Sequence, residues 1–230
     1  MPTPSRTPAG RPRGRQMQAE ANDARVLRAA RAAFAEFGWD APVSVIAKRA
    51  GVGMGSLYRR YPAKDDLARH VQVDGLDRWT ALVEGAAERL GPWDALVSAL
   101  RAALTQGGEV SMLPVIGGRF ASSPEVDAAS ARLEHALGAL VRRAVDEGAL
   151  RPDVTLADLV LLLQLLGSRL PGSPERVDEL RARYLDLTLA ALRAPAAGPL
   201  TGPAPQWPEL LSFWNVREDE DAEVAGPDQP

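Results

Sequence analysis

The sequence predicts an all-α fold, a small three-helix head followed by a larger helical bundle. Three observations predict it. Apolar residues recur at i, i+3, i+4 and i+7 through most of residues 22–193. Helix-start residues (Ser, Thr, Asp or Pro) stand just ahead of those runs. No run alternates apolar and polar residues as a half-buried strand does.

Residues 1–21 hold Pro2, Pro4, Pro8, Pro12 and scattered arginines, with little to bury, and are expected to form a disordered basic arm. From Asn22, the residues Val26, Leu27, Ala30, Ala33, Phe34 and Phe37 share one helical face. Asn22 or Asp23 suits its start and Gly38 its end. Val43, Ile46, Ala47 and Ala50 make a short second helix closed by Gly51. A third turns Leu57 and Tyr61 inward. Pro62 opens a fourth toward Leu90, weakened by Gly75 and Gly85. Residues 22–68 therefore form the head.

The body, residues 69–193, continues with a helix from Pro92 to Thr105 carrying Leu96, Val97, Leu100 and Leu104. Residues 107–120 are glycine-rich and aperiodic. Ser123-Pro124-Glu125 opens a helix through Val126, Ala129, Leu133, Ala136, Leu137, Leu140, Val141 and Ala144, ending at Gly148. Thr155 and Asp158 resemble a capping box ahead of residues 156–170. Ser173-Pro174-Glu175 opens the last helix, to about Arg193. Residues 194–230 form a Pro/Gly-rich extension with an acidic end, Glu218–Asp221.

Composition narrows the function. The chain has 230 residues and no cysteine, which excludes disulfides and thiolate chemistry. No apolar run spans a bilayer and the Arg/Pro-rich start lacks a secretory core, so no membrane partner is expected and the cytoplasm is the expected location. The net charge of −3 conceals a division: residues 1–73 hold thirteen Lys/Arg against six Asp/Glu, while the remainder is acidic. A basic head on an acidic body suits a polyanion partner. Two distant histidines, His70 and His135, make no triad or metal spacing, so the chain is not expected to be an enzyme and no cofactor is implied. A non-specific architectural DNA binder would carry basic charge over far more of its surface.

The stretch Ala50–Tyr61, AGVGMGSLYRRY, alternates three glycines and then turns basic and aromatic. A dinucleotide loop needs a buried strand ahead of it and glycine at its sixth position, which here is Ser56; a Walker loop ends in Gly-Lys-Ser/Thr. Neither fits. Gly51-Val52-Gly53 instead forms the short turn of a helix-turn-helix. Met54, Gly55, Ser56, Tyr58, Arg59 and Arg60 then point outward, a surface suited to phosphates and base edges.

Residues Arg25–Leu67, with VLRAARAAFAEFGWDAP and VIAKRAGVGMGSLYRRYPAKDDL, resemble the DNA-binding domain of TetR/AcrR-family regulators. The shared tracts are Ala-Ala-x-x-Phe, Ile-Ala, Ala-Gly-Val, Gly-Thr-Leu-Tyr and the following lysine. Two positions depart: Pro42 replaces the usual capping threonine, leaving Asp40 as the candidate cap, and Ser56 replaces a threonine.

The resemblance implies a DNA surface of Ser44, Met54, Gly55, Ser56, Tyr58, Arg59, Arg60 and Lys64. Ser56 and Tyr58 would bond phosphates, Lys64 would pair with one, and the two arginines would read guanine. Arginines 6, 11, 13 and 15 are either a minor-groove arm or a non-specific tether.

It also implies a two-fold dimer on a double-stranded DNA operator and a body that binds an unknown small-molecule effector. The last two helices are apolar on more than one face. Leu159, Leu162, Leu163, Leu166, Tyr184, Leu185, Leu189 and Leu192 are the expected dimer residues. Trp79, Trp93, Met112, Phe120, His135 and Gln164 are the expected effector contacts. Trp207, Phe213 and Trp214 either dock the extension on the body or mark another partner.

Overall fold

A computed structural model describes residues 11–104, 123–167, 170, 172–195 and 198–210. Its elements are α1 (Arg11–Phe37), a single 3₁₀ turn (Gly38–Asp40), α2 (Val43–Ala50), α3 (Met54–Arg60), α4 (Lys64–Arg89), α5 (Pro92–Leu104), α6 (Pro124–Asp146), α7 (Leu156–Leu166) and α8 (Pro174–Leu192). No strand occurs among the described residues, so the all-α expectation holds. The chain divides into two compact units between Leu67 and Ala68. The expected arm residues 1–10, the segment 107–120 with Met112 and Phe120, and Phe213, Trp214 and Glu218–Asp221 lie outside the described residues.

In the first unit, α1 starts at Arg11 rather than near Asn22, so the expected arm does not reach residue 21. Pro12 falls in the first turn, where its missing N–H costs nothing, and Gln16 to Ala21 are mostly good helix formers. Asn22 and Asp23 are therefore mid-helix and cap nothing. Val26, Ala30, Ala33 and Phe34 are buried, as their period requires, with the Trp39 ring stacked 6.1 Å from Phe34. Phe37, expected in the core, is 43% exposed, its ring lying under the Arg49 guanidinium at 5.6 Å. Nor does Asp40 cap α2. The Pro42 carbonyl accepts from Val45 N at 3.0 Å and Ile46 N at 3.3 Å, and no side chain caps that end.

The second unit has one main core. Leu76, Trp79 and Val83 of α4, Leu96 and Leu100 of α5, Leu133, Leu137 and Leu140 of α6, Leu159 and Leu163 of α7, and Leu185, Leu189 and Leu192 of α8 belong to it. Gly75 and Gly85 do not break α4. The capping box at α7 is real: Thr155 N donates to Asp158 Oδ2 at 2.7 Å and Asp158 N to Thr155 Oγ1 at 3.2 Å. Helix α7 stops at Leu166, short of residue 170, with Gly167 as its C-terminal cap, its N–H bonded to the Leu163 carbonyl at 2.8 Å. Arg181 of α8 donates to the Gly167 carbonyl at 3.2 Å, a cation at the end of α7.

This packing bears on two expectations. Leu159, Leu163, Leu185, Leu189 and Leu192 are buried in the chain's own core and have no surface left for a partner; Leu162 and Leu166 pack against that core. On α7 and α8 the large apolar residues left exposed are Leu165, at 70% exposure, Tyr184 and Leu187. Of the expected effector contacts, Trp79, Trp93, His135 and Gln164 are among the described residues. Trp79 is buried, its Nε1 donating to the Ala99 carbonyl at 3.3 Å. Trp93 packs on the core beneath the Arg193 guanidinium, and Gln164 is exposed.

Residues 198–210 of the C-terminal extension dock on the second unit. Leu210 is fully buried with Ala157 and Val160 of α7, with Trp207 against them. Arg151 grips Asp153 twice, at 2.6 and 2.8 Å, and its Nη2 donates to the Gly198 carbonyl at 2.6 Å. Leu200 N donates to Asp153 Oδ2 at 3.0 Å.

Candidate nucleic-acid interface

The turn between α2 and α3 follows from one glycine. Gly51 has φ 66° and ψ 37°, the left-handed conformation that a Cβ penalises. Its N–H bonds to Lys48 O and that of Val52 to Ala47 O, closing α2. Gly53 and Gly55 have ordinary backbone angles, and a Cβ at either would meet nothing within 4 Å. The left-handed turn favours glycine at 51, whereas no described residue stands where a Cβ at Gly55 would go.

Leu57 and Tyr61, at 3% and 1% exposure, anchor α3 to the head. The helical period then turns Met54, Gly55, Ser56, Tyr58, Arg59 and Arg60 outward, and all six are exposed, as is Ser44 near the start of α2. Lys48 and Arg49 are exposed at the end of α2, with Arg49 paired to Glu36 at 2.6 Å.

The two arginines of α3 differ. Arg59 meets no carboxylate among the described residues. Arg60 Nε donates to Asp23 Oδ2 of α1 at 2.9 Å, and its guanidinium lies 5.4 Å from the Tyr61 ring centre. That hydrogen bond and the Asp23 charge hold its pKa above the ordinary arginine value, so it stays charged at any working pH. Asp23, Ser56, Arg59 and Arg60 line one shallow cleft of about 260 Å³. Sequence reasoning missed Asp23, because a mid-helix aspartate 37 residues from its partner leaves no local pattern.

Lys64 departs from its assigned place. Its Nζ donates to the Trp39 carbonyl and lies 5.0 Å from the Trp39 ring centre and 6.0 Å from that of Phe34. This ammonium fastens the head through one of its three N–H donors.

A short, glycine-started helix with buried anchors and an outward hydroxyl, phenol and guanidinium face defines a helix-turn-helix DNA-binding unit. Comparison with known proteins gives the family. The model for bacterial regulatory proteins of the tetR family matches residues 26–71, and that for the SbtR-like transcriptional regulator C-terminal domain matches residues 91–194.

Among solved structures, the chain is similar to the TetR transcriptional regulator SCO0520 of Streptomyces coelicolor, with 28% identity, 76% of this chain and 99% of that one covered, and a TM-score of 0.57. A TetR regulatory protein of Mycobacterium vanbaalenii matches with 28% identity, 78% and 99% coverage, and a TM-score of 0.57. For the TetR-family regulator PfmR of Thermus thermophilus the values are 28%, 72%, 97% and 0.53. No curated protein matches. The chain belongs to the TetR family of DNA-binding transcriptional regulators, which are transcription factors and not enzymes. No helix among the described residues is long and apolar enough to cross a membrane.

Proposed function

We propose that the protein is an effector-responsive repressor that binds a palindromic operator as a homodimer and leaves it when a small molecule binds the body. The observation that carries this reading is the outward face of α3, where Ser56, Tyr58, Arg59 and Arg60 are exposed while Leu57 and Tyr61 hold the helix in place. A helix of seven residues reads few base pairs, so two copies related by a two-fold axis are needed for a selective site. Leu165, Tyr184 and Leu187 supply an exposed apolar surface for that pairing. Leu187→Glu is expected to shift the protein from dimer to monomer in sedimentation and to weaken operator binding; a dimer of unchanged affinity rejects this face.

For the effector, the second unit offers an open cleft of about 490 Å³ between α6, the start of α7 and the extension, lined by His135, Arg142, Leu156 and Trp207 among others. That volume falls in the small-molecule range. Of the residues expected to touch effector, His135 alone of those described lines it. Helix α4 is continuous across the boundary between the units, which supports it as the element through which effector binding shifts the population of DNA-competent heads. Selection of sites from random duplexes, followed by a screen for small molecules that release the selected site, tests the whole reading. Recovery of no enriched sequence would refute it; enrichment with activation of transcription in place of repression would reverse the sign of regulation alone.

A further inference from the structure

We propose that Asp23 of α1 is a specificity-determining residue of the DNA surface: it positions the Arg60 guanidinium with one edge free for a base, and its charge penalises binding to the DNA backbone alone. The proposal rests on the reading that α3 meets duplex DNA.

Four observations carry it. Asp23 Oδ2 engages Arg60 at Nε, 2.9 Å away. A guanidinium has five N–H donors in a rigid fork, so a bond at Nε leaves the Nη1/Nη2 edge open, the edge that pairs with guanine O6 and N7. Second, the guanidinium lies over the ring of Tyr61, itself buried, so the side chain is held from two sides before any ligand arrives. Ordering a long side chain in advance removes that cost from binding.

Third, Asp23 has no other partner among the described residues: α1 continues to Arg11, so Asp23 caps nothing, and an ion pair this exposed adds little to stability. Fourth, Asp23 sits in the same cleft as Ser56 and Arg59, on the face offered to a polyanion. A carboxylate there repels phosphates. Such repulsion is tolerable where Arg60 gains a base in return, and costly on any sequence where it does not.

The test uses the full chain and randomised duplexes, measuring base preference at each operator position, affinity for the selected site and for a random duplex, and the dependence on salt. Asp23→Asn is expected to bind random duplex more tightly, to steepen the salt slope by about one, and to lose preference at one operator position. Asp23→Glu is expected to retain that preference. In an Arg60→Ala background, Asp23→Asn should leave the preference profile unaltered. Should Asp23→Asn fail to fold, Arg60→Lys carries the test, since it keeps the charge and loses the second edge: the same position should lose its preference while the salt slope stays.

An Asp23→Asn profile identical to wild type overturns the proposal, as does the same profile change with Arg60 absent. A wild-type protein with no sequence preference sinks the DNA reading itself, and this proposal with it.

Discussion

Two basic side chains that motif position assigns to DNA have unlike surroundings at the residue scale. Arg60 is tied at one edge and open at the other, whereas the Lys64 ammonium is held by the Trp39 carbonyl and two aromatic faces. A charged hydrogen bond with cation–π support in a half-buried site contributes ~1–2 kcal/mol. Lys64→Ala is therefore expected to lower the melting temperature of the head and to weaken every DNA sequence together. A pure phosphate clamp would instead shallow the salt slope by about one with melting unchanged.

What was legible at this scale was which residues face out. Period alone separated Leu57 and Tyr61 from Ser56, Tyr58, Arg59 and Arg60. Partners were not legible, since Lys64 and Trp39 are 25 residues apart, and a polar contact between distant segments leaves no periodic trace. Phe37 failed for a related reason: its period was right, but it sits at the last turn of α1, where the core has ended.

Elements were easier to read than their ends. Ser123, Thr155 and Ser173 cap α6, α7 and α8 as their spacing implies, each accepting a backbone N–H. The start of α1 was missed because prolines and arginines suggested an arm, although proline in a first turn is harmless. The end of α7 was set at 170, although the apolar run stops with the helix at Leu166.

The glycines of the turn allow a paired test. Gly51→Ala forces a Cβ into a left-handed residue with no compensating contact, at ~1–2 kcal/mol. It should lower the melting temperature while the folded fraction binds operator normally. Gly55→Ala meets no strain and no neighbour, so stability should hold or rise, and operator affinity should fall. Equal effects of the two variants on melting and binding would remove the argument that Gly55 serves the DNA.

On the scale of the whole molecule, the solved relatives are almost fully covered by 72–78% of this chain, and the C-terminal family model stops at residue 194. The docked segment 198–210 lies beyond the residues that model matches, and it supplies one wall of the cleft beside His135 and Arg142. Its attachment has an apolar part, Leu210 against Ala157 and Val160, and an ionic part at Arg151 and Asp153.

The Arg151 guanidinium, and then the Leu200 N–H, hold the Asp153 carboxyl well below the usual carboxylate range. The sign follows from linkage. A carboxyl depressed in the folded state contributes its full stabilisation above the ordinary aspartate value of about 3.9, and loses it as pH falls further. The segment should thus stay docked at neutral pH and loosen only in strong acid, seen as faster hydrogen exchange at the Leu200 amide relative to the α6 core.

Asp153→Asn should give that faster exchange already at pH 7 and flatten its acid dependence. Removal of residues 196–230 should also strip the cover from Val160 and lower the melting temperature of the second unit. If the exchange of Leu200 were the same in Asp153→Asn as in wild type at every pH, the ionic clasp would be excluded and the apolar contact of Leu210 would be what keeps the segment in place.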